Sequence, residues 1–307
     1  MTAFFRCATM RKNRVKEFAV KPRSKLISSM FLFGTIGIFV HYLPLPSAFI
    51  AMVRGFVGAA FLLLLMAVKK QKPDKAAIKS NLLILLLSGA ALGVNWILLF
   101  EAYNNTTVAT ATLCYYFAPI IVILVSPLLL KEKLTAKKLI CVLVALVGMV
   151  FVSGVLNAEA GGKDFVGVLF GLGAACLYAS VVILNNKLHD IDSYDRTVMQ
   201  LGVAGVVLLP YVLLTQHVAA SDFTLSVIIL LAVVGIVHTG FTYALYFASM
   251  KELPAQTVAI FSYLDPVVAI LLSALFLKEP LGGFGILGAV LILGAAVVSE
   301  LPDKKRR

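Results

Sequence analysis

The chain has 307 residues, of which 61% are hydrophobic and 14% charged, and its net charge is +12. Apolar runs of about 18 residues or more mark membrane-crossing helices, because the hydrocarbon core is roughly 30 Å thick. A water-soluble enzyme or nucleic-acid-binding domain does not carry so much apolar chain, and the basic excess has another use, given below.

The first residues, MTAFFRCATMRKNRVKEFAVKPRSK, hold no apolar core of a secretory signal. They are expected to form a basic cytoplasmic tail over 1–24. Ten spans follow, at about 25–43, 46–68, 80–102, 107–130, 136–154, 165–187, 194–215, 224–249, 254–277 and 281–300. The predicted fold class is an all-α polytopic membrane protein. With the N-terminus inside, every Lys and Arg except Lys163, Lys278 and Arg54 falls in a cytoplasmic segment or at the cytoplasmic end of a span. The positive-inside rule therefore places both termini in the cytoplasm of the cell (inner) membrane. The basic tails are topology signals that can touch anionic lipid, and no nucleic-acid partner is expected. The four cysteines, Cys7, Cys114, Cys141 and Cys176, form no CxxC pair, so neither a zinc site nor a disulfide framework is expected.

One stretch occurs twice. Residues 115–135 read YYFAPIIVILVSPLLLKEKLT and residues 262–282 read SYLDPVVAILLSALFLKEPLG. The prolines Pro119 and Pro266 stand 147 positions apart, and the same offset aligns Tyr116 with Tyr263, Ser126 with Ser273, and Lys131-Glu132 with Lys278-Glu279. Gly55 and Gly58 align with Gly202 and Gly205 in the same way. A unit of five helices is odd, so the second copy must cross the membrane in the opposite sense. The chain is thus expected to be two inverted five-helix repeats, over 25–154 and 165–300. An extracytoplasmic linker over 155–164 joins them, and a basic tail over 301–307 ends the chain.

The paired pattern of apolar residue and proline, long apolar stretch, Lys-Glu, Leu and glycine-containing helix resembles the drug/metabolite transporter superfamily, and each half looks like an EamA-type module. That resemblance implies movement of a small metabolite, such as an amino acid or related solute, often outward and without ATP. It implies no cofactor. No Walker-type phosphate loop, H-E-x-x-H or G-x-S-x-G motif occurs, and no metal site is expected. The alternatives are an intramembrane enzyme and a lipid-handling membrane protein.

Charges inside the bilayer are costly and are functional candidates by default. Arg54 lies about 12 Å into the second span and Asp265 about 18 Å into the ninth, at 1.5 Å per residue. Arg54 is a candidate for a substrate carboxylate, and Asp265 for an amine or a proton. Whether they pair is left open. Glu101 reads as an interfacial carboxylate. Pro119 and Pro266 are expected to kink the fourth and ninth helices in mid-span. In the eighth span Thr239, Tyr243, Tyr246 and Met250 share one helix face, matched by the face of Leu92, Trp96, Leu99 and Tyr103 in the third. Trp96, Tyr115, Tyr116, Tyr243, Tyr246 and Tyr263 are candidate cavity walls, and Tyr103 fits an interfacial belt. Asn95, Thr112, Thr242, Gln256 and Ser262 add polar candidates, and His238 is a second candidate for carrying a proton. The Asp-rich run 190–195 reads as a solvated loop. The expected partners are a small-molecule substrate, membrane lipid and protons, for a monomer or homodimer.

Overall fold

The computed structural model describes residues 21–106, 108–152, 164–277 and 283–301. The expectations for the first 20 residues, for the linker over 155–163 with Lys163, for Lys278-Glu279, and for the final basic run lie outside the described residues. The described chain is helical: α1 Pro22–His41, α2 Ser47–Val68, α3 Leu82–Asn105, α4 in two pieces (α4a Val108–Tyr115, α4b Ala118–Leu129) and α5 Ala136–Val152. Then come α6 Asp164–Asn186, α7 Ser193–Thr215, α8 from Leu225 to Glu252, α9 in two pieces (α9a Ala255–Phe261, α9b Leu264–Leu272) and α10 Gly283–Glu300. A short helix, Lys75–Ser80, joins α2 to α3, with the Asp74 side chain accepting from the Ala77 N–H at 3.1 Å.

Among the described residues, eight helices are long and apolar enough to cross a membrane, and Gly283–Ser299 is a shorter apolar helix. The outward faces are apolar to a degree that only lipid would cover: Leu128 is 82% and Leu214 84% exposed.

The packing repeats. α3 lies against α6 and, in the other half, α8 lies against α1. α4 packs on α6 as α9 packs on α1, and α3 packs on α7 as α8 packs on α2. α2 with α7, and α5 with α10, each join equivalent helices of the two halves. The halves also run in opposite senses. The start of α6 meets the end of α3, since a Cβ added at Gly167 would touch Thr106, while the segment after α6 meets the start of α3 through Asn81 and His189. The fold is therefore two inverted helical repeats around a shared core.

Two close approaches require glycine. A Cβ at Gly58 in α2 would stand 2.9 Å from the Gly240 nitrogen in α8. A Cβ at Gly34 in α1 would stand 2.7 Å from the Asp265 carbonyl oxygen.

The prolines interrupt their helices in mid-span, each beside a short non-helical step. α4 stops at Tyr115 and restarts at Ala118, with Pro119 in the first turn of the new piece. α9 stops at Phe261 and restarts at Leu264, two residues before Pro266. Proline lacks an N–H and its ring clashes with the carbonyl four residues earlier. A restart places it where the first N–H groups of a helix have no partner in any case. At the offset of 147 the two interruptions fall within one residue of each other in their repeats.

The 190–195 run is also more structured than a solvated loop. Asp192 caps α7 by accepting from the Tyr194 N–H at 2.8 Å, and buried Asp195 accepts from the Asp74 N–H at 3.0 Å. Arg196, read from sequence as a cytoplasmic charge, is fully buried and donates to the Phe247 carbonyl at 2.8 Å.

Candidate functional site

The first face of the bundle carries the starts of α1, α3 and α7, and the second face carries their ends. A cavity of about 700 Å³ runs from mid-depth toward the second face. α1, α2, α3, both pieces of α4, α6, α8 and the break in α9 contribute to its walls. Val40, Ser47 and Tyr103 lie at its outer end.

Arg54 projects from α2, and its guanidinium carbon lies 4.5 Å from the centre of the Trp96 ring on α3. This is a cation–π contact, which offsets part of the cost of a charge held away from water. Its Nε is buried and has no hydrogen-bond partner among the described residues. Asp265 sits in the first turn of α9b and accepts from the Tyr116 hydroxyl at 3.3 Å. Arg54 and Asp265 form no ion pair with each other.

A run of aromatic rings joins the two charges. Trp96 meets Tyr243 edge-on at 6.2 Å, and Tyr243 neighbours Tyr246 at 6.4 Å. The Tyr246 and Tyr178 hydroxyls share a hydrogen bond of 2.5 Å. Tyr178 lies 5.6 Å from Tyr115, Tyr115 lies 5.7 Å from Tyr116, and Tyr116 reaches Asp265. Phe33 from α1 braces Tyr243 at 4.9 Å and Tyr246 at 5.7 Å.

Of the candidates named from sequence, Arg54, Trp96, Thr112, Tyr115, Tyr116, Pro119, Tyr243, Tyr246, Ser262 and Asp265 line this cavity. Several others lie elsewhere. Asn95 is buried behind the wall and donates to the Ala174 carbonyl at 2.6 Å, tying α3 to α6. Thr239 does not line the cavity and is buried within a π-helical stretch, Val234–Phe241. There its hydroxyl donates five residues back, to the Val234 carbonyl at 2.9 Å. Thr242 likewise bonds back to the Val237 carbonyl at 2.8 Å. His238 stands outside the cavity lining, with Nε2 at 2.9 Å from the Thr35 hydroxyl and its ring 4.6 Å from Phe39. Tyr263 is buried behind Tyr116 and donates to the Tyr116 carbonyl at 2.9 Å. Pro266 does not line the cavity.

Tyr103, read as an interfacial residue, lines the outer end of the cavity. Glu101 is engaged, accepting from the Tyr211 hydroxyl at 2.5 Å. Sequence reasoning missed Tyr178 and Phe33. Tyr178 carried a usable signal, being the one tyrosine in its span. Phe33 carried none, because one phenylalanine in an apolar helix looks like any other.

On the first face the cavity is closed. Lys25 of α1 pairs with Glu252 of α8 at 2.9 Å. Glu132, just past α4b, accepts from the Ala255 and Gln256 N–H groups at 2.7 and 3.2 Å, capping α9a. Gln256 donates to the Ser126 hydroxyl at 2.8 Å. Glu132 thus binds one repeat to the other through a helix N-terminus. Among the described residues no group of His, Cys, Asp and Glu is placed to hold a metal ion.

An inverted-repeat helical bundle in a membrane, with a buried polar and aromatic cavity between the repeats, is the architecture of a membrane transporter. The chain belongs to the EamA-like transporter family, whose model matches residues 24–154 and 165–300. It is 29% identical over 277 residues to the uncharacterized transporter YxxF of Bacillus subtilis (strain 168), covering 90% of this chain and 88% of that one. It is 26% identical over 222 residues to protein PecM of Dickeya dadantii (strain 3937), covering 71% and 73%. A solved crystal structure superposes with a TM-score of 0.79, covering 91% of this chain and 97% of its own, at 17% identity. That likeness concerns the fold alone.

Proposed function

We propose that this chain is a secondary transporter that moves a small metabolite, an amino acid or related solute, out of the cell by alternating access at the central cavity. In this reading ten spans cross the inner membrane with both termini in the cytoplasm, so the closed first face is cytoplasmic. The repeats occupy 25–154 and 165–300, joined by 155–164 and flanked by tails over 1–24 and 301–307.

The observation that carries the proposal is the state of the two charges in the cavity. Arg54 and Asp265 both stand half-buried in the cavity wall among aromatic rings, and neither neutralises the other. Holding unpaired charges within a membrane protein is costly unless a partner arrives. A zwitterion supplies both partners at once, a carboxylate for Arg54 and an ammonium for Asp265. The tyrosine and tryptophan faces between them suit a partly apolar body, and the cavity volume falls in the range typical of small-molecule sites. Asp265 can alternatively take a proton, which would couple transport to the proton gradient.

The test is counterflow of labelled L-amino acids in liposomes containing the purified protein. Accumulation that is lost in Arg54→Ala and Asp265→Ala supports the reading. A folded wild-type protein that moves none of them contradicts it.

A further inference from the structure

The two helix breaks are equivalent in the repeats but are bonded differently. Tyr263, beside the break in α9, donates its hydroxyl to the Tyr116 carbonyl at 2.9 Å. Tyr116, beside the break in α4, is its repeat mate and stacks on it at 6.0 Å with the ring planes 28° apart. The Tyr116 hydroxyl donates instead to Asp265 at 3.3 Å. The repeat mate of Asp265 is Ala118, which offers no side-chain acceptor.

An inverted-repeat transporter reaches its opposite state when each repeat adopts the arrangement the other now holds. In that state the roles of the two tyrosines exchange, and the Tyr116 hydroxyl donates to the Tyr263 carbonyl. A tyrosine has one hydroxyl proton to donate. Tyr116 can serve Asp265 or the Tyr263 carbonyl, but not both.

We propose that the Tyr116 hydroxyl is the element that couples Asp265 to the direction in which the cavity opens. The inference rests on the alternating-access reading above. With Asp265 free to accept, Tyr116 is held on it and the present state is favoured. A cation that takes the Asp265 Oδ2 atom, the oxygen to which Tyr116 donates, competes for it, releases Tyr116, and makes the exchanged bond available. The asymmetry between Asp265 and Ala118 then has a purpose: it biases an otherwise balanced pair of states until the acid is occupied. Tyr116 is a positioning residue in this scheme, and Tyr263 supplies the bond that closes each alternative. Losing a hydrogen bond to a charged group in one state only is expected to change the ratio of the two states about ten-fold.

The experiment is hydrogen–deuterium exchange by mass spectrometry on purified full-length protein in lipid nanodiscs, with no ligand added. Peptides from the cavity mouth, 36–50 and 99–105, report one face, and peptides 22–30 and 250–257 report the other. Asp265→Ala, which makes the two breaks alike, should protect the mouth and expose the first face. Tyr263→Phe, a milder change that removes only the bond of the present state, should shift exchange in the same direction. In a Tyr116→Phe background, Asp265→Ala should produce no shift, because there is no hydroxyl to release. An equal shift from Asp265→Ala with and without Tyr116, or no shift in Tyr263→Phe, overturns the coupling. Lys25→Ala opens the first-face ion pair directly and serves as the reference. If it too gives no reciprocal change, and the same preparation shows no flux, the alternating-access reading itself fails.

Discussion

Tyr116 and Tyr263, 147 residues apart, meet ring to ring at the centre of the molecule, and the hydroxyl of one donates to the backbone of the other at 2.9 Å. The bond has a local cause. When α4 breaks before Pro119, the Ile120 N–H turns to the Phe117 carbonyl at 3.0 Å, and the Tyr116 carbonyl loses the partner a continuous helix would give it. A buried carbonyl cannot be left alone at low cost. Tyr263 satisfies it from the other repeat, so the break in one half is stabilised by the equivalent residue of the other.

The hydroxyl pair of Tyr178 and Tyr246 gives a stability prediction. Tyr178→Phe leaves the Tyr246 hydroxyl without this partner, as Tyr246→Phe leaves that of Tyr178. Each should cost about 1–3 kcal/mol, because a buried polar group is left unpaired. The double variant removes both and should cost less than the sum of the two. Thermal unfolding of the three proteins, read as a double-mutant cycle, checks this. Additive losses would mean that the 2.5 Å contact contributes no coupling.

Arg54 lies over the only tryptophan in the chain, so the site carries its own optical reporter. Arg54→Ala should change the emission of Trp96 in the absence of any solute. A carboxylate-bearing substrate should change it in the wild type and leave the variant unaffected. Arg54→Lys should bind such a substrate more weakly by about ten-fold or more, since an ammonium lacks the planar fork that meets a carboxylate with two bonds. Fluorescence titration measures each of these.

Much of this was legible in the sequence. The apolar runs located the helices to within a few residues, because burial in lipid constrains every residue of a span. The doubled proline segment revealed the inverted repeat. What escaped has physical reasons. Pro119 and Pro266 marked where the two spans are interrupted, but not that the helix would stop and restart over two residues there. Thr239 reads as a cavity residue, yet it is buried and spends its hydroxyl on the Val234 carbonyl inside a π-helical stretch, which leaves no compositional mark. Arg196 read as a cytoplasmic charge, yet the Phe247 carbonyl holds it fully buried, a partner supplied by a distant helix. Tyr178 reaches the site only because α6 packs against α4, which no local pattern encodes.

Gly34 is where α1 comes closest to the Asp265 backbone. In Gly34→Ala the new methyl would fall 2.6 Å from the Val268 Cβ and 2.7 Å from the Asp265 carbonyl oxygen. Backbone must move to admit it, at about 1–3 kcal/mol for an overpacked position. The movement displaces Asp265, so transport should fall more steeply than the melting temperature. Gly202→Ala in α7 is the control, because its Cβ would meet no atom within 4 Å and the residue does not line the cavity. Flux and thermal stability measured side by side on both variants separate the two effects.

Glu132 closes the first face by capping α9a, and Glu132→Gln keeps the shape while removing the charge that favours a helix N-terminus. The loss should be about 1 kcal/mol. It should appear as faster amide exchange confined to the start of α9a, at Ala255 and Gln256. Exchange that rises equally throughout the protein would show that Glu132 supports the fold as a whole rather than this one contact.

The central claim is that the cavity containing Arg54 and Asp265 is where a small solute is carried. Counterflow of labelled L-amino acids into liposomes containing the wild-type protein, Arg54→Ala or Asp265→Ala tests it most directly. The account predicts accumulation with the wild type and loss with both variants, each still folded by thermal melting. Full accumulation with both variants would show that the solute passes without using these charges and would contradict the account.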